Sequence, residues 1–85
     1  MKACMKQKKL TKDELFLIKL YEEAEKRGDP FLEVDRYEIG QLISQNDRSV
    51  DNMIRMLAQA NFLKKGEGNL VFMTSQGEAL VKDLI

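Results

Sequence analysis

Arg48, Asn52, Arg55 and Gln59 follow one another at steps of four, three and four residues. At about 100° of turn per residue, those steps bring all four side chains within roughly 60° of one another on a helix. Arginine offers a rigid fork of donors, and the amides of asparagine and glutamine each offer a donor beside an acceptor. These groups match the edges of nucleic-acid bases, arginine pairing with guanine O6 and N7, asparagine or glutamine with adenine N6 and N7. Ser49 adds a hydroxyl in the same segment, and Lys64 and Lys65 add two adjacent ammonium groups further on, chemistry suited to phosphate oxygens. The competing reading is an ordinary solvated helix face, since a polar face opposite an apolar one is the norm for surface helices.

Nothing comparable points to catalysis. The chain has no histidine, which removes the commonest general base and the commonest zinc ligand. Its one cysteine, Cys4, sits in a lysine-rich stretch that would favour the thiolate, yet no histidine partners it and no internal disulfide can form. Gly66-Glu67-Gly68 lacks the flanking pattern of a phosphate loop, and no spacing suggests a metal or other cofactor. The expectation is a protein that binds rather than one that catalyses.

The elements that would carry these residues are legible in turn. Thr11-Lys12-Asp13-Glu14 is a capping box, with Leu10 and Leu15 spaced for a hydrophobic staple around it. Leu17, Leu20, Tyr21 and Ala24, joined by Phe16 and Ile18, recur at helical spacing up to Gly28, predicting a first helix over about 12–27 with those residues inward. Asp29-Pro30 forbids its continuation. Phe31 to Val34 reads as a short edge strand. Asp35-Arg36-Tyr37-Glu38 repeats the capping pattern, with Val34 and Ile39 as a second staple, and opens a brief helix whose inward face is Ile39, Leu42 and Ile43. After Ser44-Gln45-Asn46, Asn46 caps a third helix over about 47–60. Its apolar residues Val50, Met53, Ile54 and Leu57 span an arc of about 100° opposite the polar stripe. Asn61 suits the left-handed conformation at that helix's end, and a hairpin over about 63–73 turns at Gly66-Glu67-Gly68-Asn69. Thr74 caps a last helix with Ala79, Leu80 and Leu84 inward, in which Gly77 would allow close backbone approach to a neighbour.

The fold class expected is therefore mainly α with a small β-hairpin, in the order helix, strand, helix, helix, hairpin, helix, in one domain over 11–85 behind a basic tail over 1–10. That order, over about Leu10 to Leu84, resembles the winged helix-turn-helix superfamily. Val50 to Leu57 followed by Asn61-Phe62-Leu63 resembles the segment in which a recognition helix ends at a glycine before an apolar strand, with asparagine here in place of glycine. Met73-Thr74-Ser75-Gln76-Gly77 is similar to the leucine-threonine-x-x-glycine element that closes the wing in MarR-type regulators, with methionine in place of leucine. The resemblance implies a small transcriptional regulator that reads the DNA major groove with its third helix, through Arg48, Asn52, Arg55 and Gln59. It also implies phosphate contacts from Ser49, Lys64 and Lys65. A homodimer is expected, since an 85-residue regulator lacks any ligand domain, and it would double the footprint.

Charge sharpens the alternatives. The formal net charge is zero, but residues 1–12 carry five lysines and no acid, and residues 13–38 carry nine acids against four bases. Asp47 and Asp51 lie in the first turns of the third helix and oppose a phosphate backbone unless Arg48 or Arg55 masks them; the hairpin tip carries Glu67 and no arginine. Glu22, Glu23 and Glu25, with Asp29, Glu33, Asp35 and Glu38, would suit a basic protein partner, and Met56 beside the polar stripe would add an apolar contact. A winged-helix interaction module that does not bind DNA is the alternative reading. No segment nears the roughly 18 apolar residues of a membrane span, and the first residues lack the apolar run of a signal peptide. The cytoplasm is the expected compartment.

Overall fold

A computed structural model of the chain describes residues 10–84. Of the expected basic tail, residues 1–9, Cys4 among them, lie outside the described residues, as does Ile85. Four helices and three strands follow one another as α1 (Lys12–Lys26), β1 (Val34–Asp35), α2 (Arg36–Leu42), α3 (Asp47–Gln59), β2 (Leu63–Lys65), β3 (Leu70–Met73) and α4 (Ser75–Leu84). The protein is mainly helical with a small antiparallel sheet in the order β1-β3-β2. β1 pairs with β3 through Val34 opposite Val71, and β2 pairs with β3 through Leu63 opposite Met73 and Lys64 opposite Phe72.

The capping box at Thr11 forms in both directions. The Glu14 amide donates to the Thr11 hydroxyl at 3.1 Å, and the Thr11 amide donates to the Glu14 carboxylate at 2.9 Å. A cap of this kind contributes about 1 kcal/mol. α1 buries the face read from its spacing, Phe16, Leu17, Ile18, Leu20, Tyr21 and Ala24. Leu10 and Leu15, expected to staple, both stay more than a third exposed.

Three helices stop by one device. In each, the residue just past the end has positive φ, and backbone amides reach back to the last turn, the Schellman arrangement. Gly28 does this for α1 at φ +112, Ser44 for α2 at φ 61 and Asn61 for α3 at φ 66. The Asp29 amide donates to the Ala24 carbonyl, Gln45 to Gly40, and Phe62 to Leu57. Glycine and asparagine take this conformation readily; serine does so less readily, so the end of α2 carries local strain that its sequence did not announce.

The core joins α1 and α3 to the inner face of the sheet and to α4, through Phe16, Leu17, Leu20, Ile39, Val50, Ile54, Leu63, Val71 and Val81, all without exposed surface. Three expectations are corrected. The strand expected over Phe31 to Val34 is Val34–Asp35 instead, and Phe31 and Leu32 are exposed. Only Val34 onward meets β3, so only there does the backbone find ladder partners. Leu42 is half exposed rather than inward, because α2 is crossed by α3 at Gly40, where an added Cβ would collide with Val50. Ala79 is exposed, and α4 instead buries Gly77 and Val81, with Leu80 and Leu84 partly covered.

Of the five glycines, Gly77 permits the tightest approach. A Cβ there would run into the Phe62 carbonyl oxygen, a backbone atom that cannot swing aside. Gly77→Ala, which in an open helix would stabilise, is expected to cost about 1–3 kcal/mol by overpacking. Ser44→Gly should do the reverse and add roughly 0.5–1 kcal/mol by relieving the left-handed backbone. Urea unfolding measures both, and a stabilised Gly77→Ala protein would contradict the packing described.

Candidate functional site

α3 has two faces of opposite character. Val50, Met53, Ile54 and Leu57 are buried as their spacing requires, and burying each such side chain stabilises by roughly 1.5–3 kcal/mol. Arg48, Asn52, Arg55 and Gln59 are all exposed on the opposite side. Asn46 caps the helix through the Ser49 amide at 2.9 Å, which leaves Ser49 half-buried at the first turn. The orientation of the stripe is thus set by the apolar face behind it, since surface side-chain pairs contribute only about 0.2–0.5 kcal/mol each.

Within the stripe, Arg55 and Asn52 are brought together, Arg55 Nη2 donating to Asn52 Oδ1 at 2.8 Å. Arg48 and Gln59 share their face without a bond to that pair among those described. Lys64 and Lys65 are exposed on β2, the edge strand that packs beside α3. Two lysines there also blunt an open strand edge against pairing with another chain. The stripe and the lysine pair therefore sit on adjacent elements, α3 and β2.

The charge of Asp51 is handled differently from expectation. Neither Arg48 nor Arg55 masks it. The Tyr37 hydroxyl donates to Asp51 Oδ1 at 2.8 Å, and Arg36 Nη1 lies 3.4 Å from the same oxygen. Arg36 and Tyr37 belong to α2, and the guanidinium carbon lies 5.7 Å from the centroid of the Tyr37 ring. Arg36 also reaches the hairpin turn, donating from Nε to the Asn69 carbonyl at 3.2 Å and from Nη2 to the Gly68 carbonyl at 3.3 Å. The segment Asp35 to Glu38 was expected to form a second capping box. Asp35 does cap, but through the Tyr37 amide at 2.9 Å, while Glu38 turns away to pair with Arg27 at 3.1 Å. Arg36 and Tyr37 are the residues sequence reading passed over; the only signal was two long hydrogen-bonding side chains just after a helix cap.

The acidic residues around α1 are largely engaged within the protein. Glu22 pairs with Lys19 and Glu23 with Lys26, each at 3.1 Å, and Glu25 accepts from the Tyr21 hydroxyl at 3.3 Å. Asp29 caps its own turn through the Phe31 amide at 2.9 Å. Among the described residues no three His, Cys, Asp or Glu side chains are grouped to hold a metal, and no helix is long and apolar enough to cross a membrane. Comparison with known proteins finds no matching family model, no matching curated protein and no matching solved structure.

The hydrogen bond to Asp51, followed by burial and the carboxylate's charge, raises the Tyr37 phenol above its ordinary value. Tyr21 is raised as well, by burial first and then by Glu25. A raised phenol contributes stability that is fully present below its unfolded value near 10 and lost as pH climbs through the higher folded value. The stability difference between the natural protein and Tyr37→Phe should accordingly stay constant through neutral pH and shrink only above about pH 10. Chemical denaturation across alkaline pH, with ultraviolet detection of tyrosinate, tests this. Ionisation of Tyr37 at or below the ordinary phenol value would mean that its bond to Asp51 does not persist in solution.

Proposed function

We propose that the chain is a winged helix-turn-helix domain and binds double-stranded DNA, acting as a small transcriptional regulator. In this reading α2 and α3 form the helix-turn-helix, α3 enters the major groove, and the β2–β3 hairpin is the wing. The observation that carries it is the exposed stripe of Arg48, Asn52, Arg55 and Gln59 directly opposite the buried face of α3. A helix anchored by one face and carrying bidentate donors and amides on the other is the element that base-edge readout needs. Support also comes from the lysines of β2 beside α3, suited to phosphates, and from the neutralisation of Asp51 by groups off the stripe. Arg48, Asn52, Arg55 and Gln59 are the base-reading residues, with Ser49, Lys64 and Lys65 on phosphates. A homodimer would supply the second half-site.

A protein-interaction module is the competing reading, and two observations favour it. Residues 10–84 carry ten Lys or Arg against fourteen Asp or Glu, so the described domain is acidic. Met56, next to the stripe on α3, is 58 % exposed. The ligands differ in one measurable respect, since only phosphates release condensed counterions on binding.

Fluorescence anisotropy with a mixed pool of short duplexes at about 50 and 200 mM salt separates the two readings, binding that weakens steeply with salt supporting DNA. Arg55→Ala should then weaken the preferred site by about 1–3 kcal/mol and relax preference at one base pair. Equal loss on preferred and random duplexes would reduce Arg55 to a phosphate contact. Absence of binding at the lower salt by the folded protein would favour a protein partner.

A further inference from the structure

The hairpin that carries Lys64 and Lys65 is held at its base by the core and by β1, but the turn at its tip has little of its own to fix it. β2 has only three residues, lies at the sheet edge, and is joined to β3 by the four-residue turn Gly66 to Asn69, in which Gly68 has φ +59. β1 and the core hold the strands, through Val34 opposite Val71 and the buried Leu63 and Met73, so the part that needs support is the turn. Within the turn, the Gly66 amide donates to the Leu70 carbonyl at 2.7 Å and the Leu70 amide to the Glu67 carbonyl at 3.0 Å. The carbonyls of Gly68 and Asn69 point out of the hairpin, and Arg36 takes both. The Arg36 amide also donates to the Asn69 carbonyl, at 3.0 Å.

We infer that Arg36 is the positioning residue of the proposed DNA interface: its guanidinium locks the hairpin turn to α3, so that Lys64 and Lys65 approach a duplex in fixed register with the α3 stripe. Three elements meet in that one side chain, which is 13 % exposed: the turn through the Gly68 and Asn69 carbonyls, α3 through Asp51, and α2 to which Arg36 belongs. The planar fork allows separate nitrogens to serve separate acceptors, whereas a lysine ammonium is a point charge on a flexible stem. Tyr37 completes the lock by donating to the same Asp51 oxygen beside the guanidinium. The part of this inference that concerns the duplex rests on the DNA reading above; the locking of the hairpin does not.

The test uses the full chain with Arg36→Gln, and with Arg36→Lys, which keeps the charge but not the fork. Hydrogen exchange of the Gly66 and Leu70 amides, compared with core amides of α1 and α3, reads the lock without any DNA. Exchange at the hairpin should accelerate about tenfold or more in both variants while the core changes little. With the duplex pool, the dependence of log affinity on log salt should become shallower by about two, the share of Lys64 and Lys65. A mere loss of folded protein would lower affinity at every salt and leave that slope unchanged. In a Lys64→Gln/Lys65→Gln background, Arg36→Gln should then alter the slope no further. Natural hairpin protection in folded Arg36→Gln, or in Arg36→Lys should the first variant not fold, overturns the inference. So does an unchanged salt slope with a loosened hairpin. A natural protein that binds no duplex refutes the DNA reading instead, and hydrogen exchange still decides whether Arg36 holds the hairpin.

Discussion

The Phe62 carbonyl is where the two ends of the hairpin and the start of the last helix are tied together. It accepts from the Thr74 amide at 3.2 Å and lies against Gly77, which is bare of side chain. The Thr74 hydroxyl is used twice, donating to the Asn61 carbonyl at 2.6 Å and accepting from the Gly77 amide at 3.1 Å. Asn61 is at the same time the left-handed residue that ends α3, and its side-chain amide donates to Gln76 on α4. The chain leaving α3 and the chain leaving β3 are thus joined within a few residues, which fixes where the base of the hairpin stands relative to α3. A side chain at Gly77 would push α4 off this junction and loosen the cover that Val81 gives the core.

From that junction the position of α3 follows. Its apolar side chains pack against α1, α2 and β2, so its free face has one available orientation. The helix is therefore an anchored scaffold for Arg48, Asn52, Arg55 and Gln59 rather than a mobile one. Polar interactions refine this arrangement without creating it. Arg55 bonded to Asn52 sets how two side chains point, whereas Arg36 bonded to Asp51 and to two hairpin carbonyls sets how two elements stand. The difference lies in where the partners sit: Asn52 and Arg55 are one turn apart on the same helix, whereas the partners of Arg36 belong to α3 and to the hairpin turn.

That division also accounts for Asp51. A carboxylate on the helix proposed to face phosphates would oppose their approach. It lies on the flank of α3 towards α2, where a cation and a phenol meet it, and so its charge is balanced within the protein. The acids around α1 are handled similarly, by lysines one turn away or by backbone amides. These pairings cancel charge one for one, and the described residues keep their acidic excess.

Much of the structure was determined by the sequence alone, wherever a signal is local. The Thr11 box, the Asn46 cap, the left-handed Gly28 and Asn61, the buried face of α3 and the close approach at Gly77 follow from spacing and from the conformational limits of single residues. The same periodicity that buries Val50, Met53, Ile54 and Leu57 exposes the stripe, so the candidate site was legible as a helix face. Only the tertiary structure decided the rest, because it depends on partners far along the chain. β1 begins at Val34 because β3 lies beside it there, Leu42 is exposed because α2 is covered on another side, and Ala79 yields the interior of α4 to Gly77 and Val81. Arg36 meets Gly68 and Asn69 across more than thirty residues of sequence. Spacing along a chain constrains which side chains share a face; which other element that face meets is settled only by the packing of the whole.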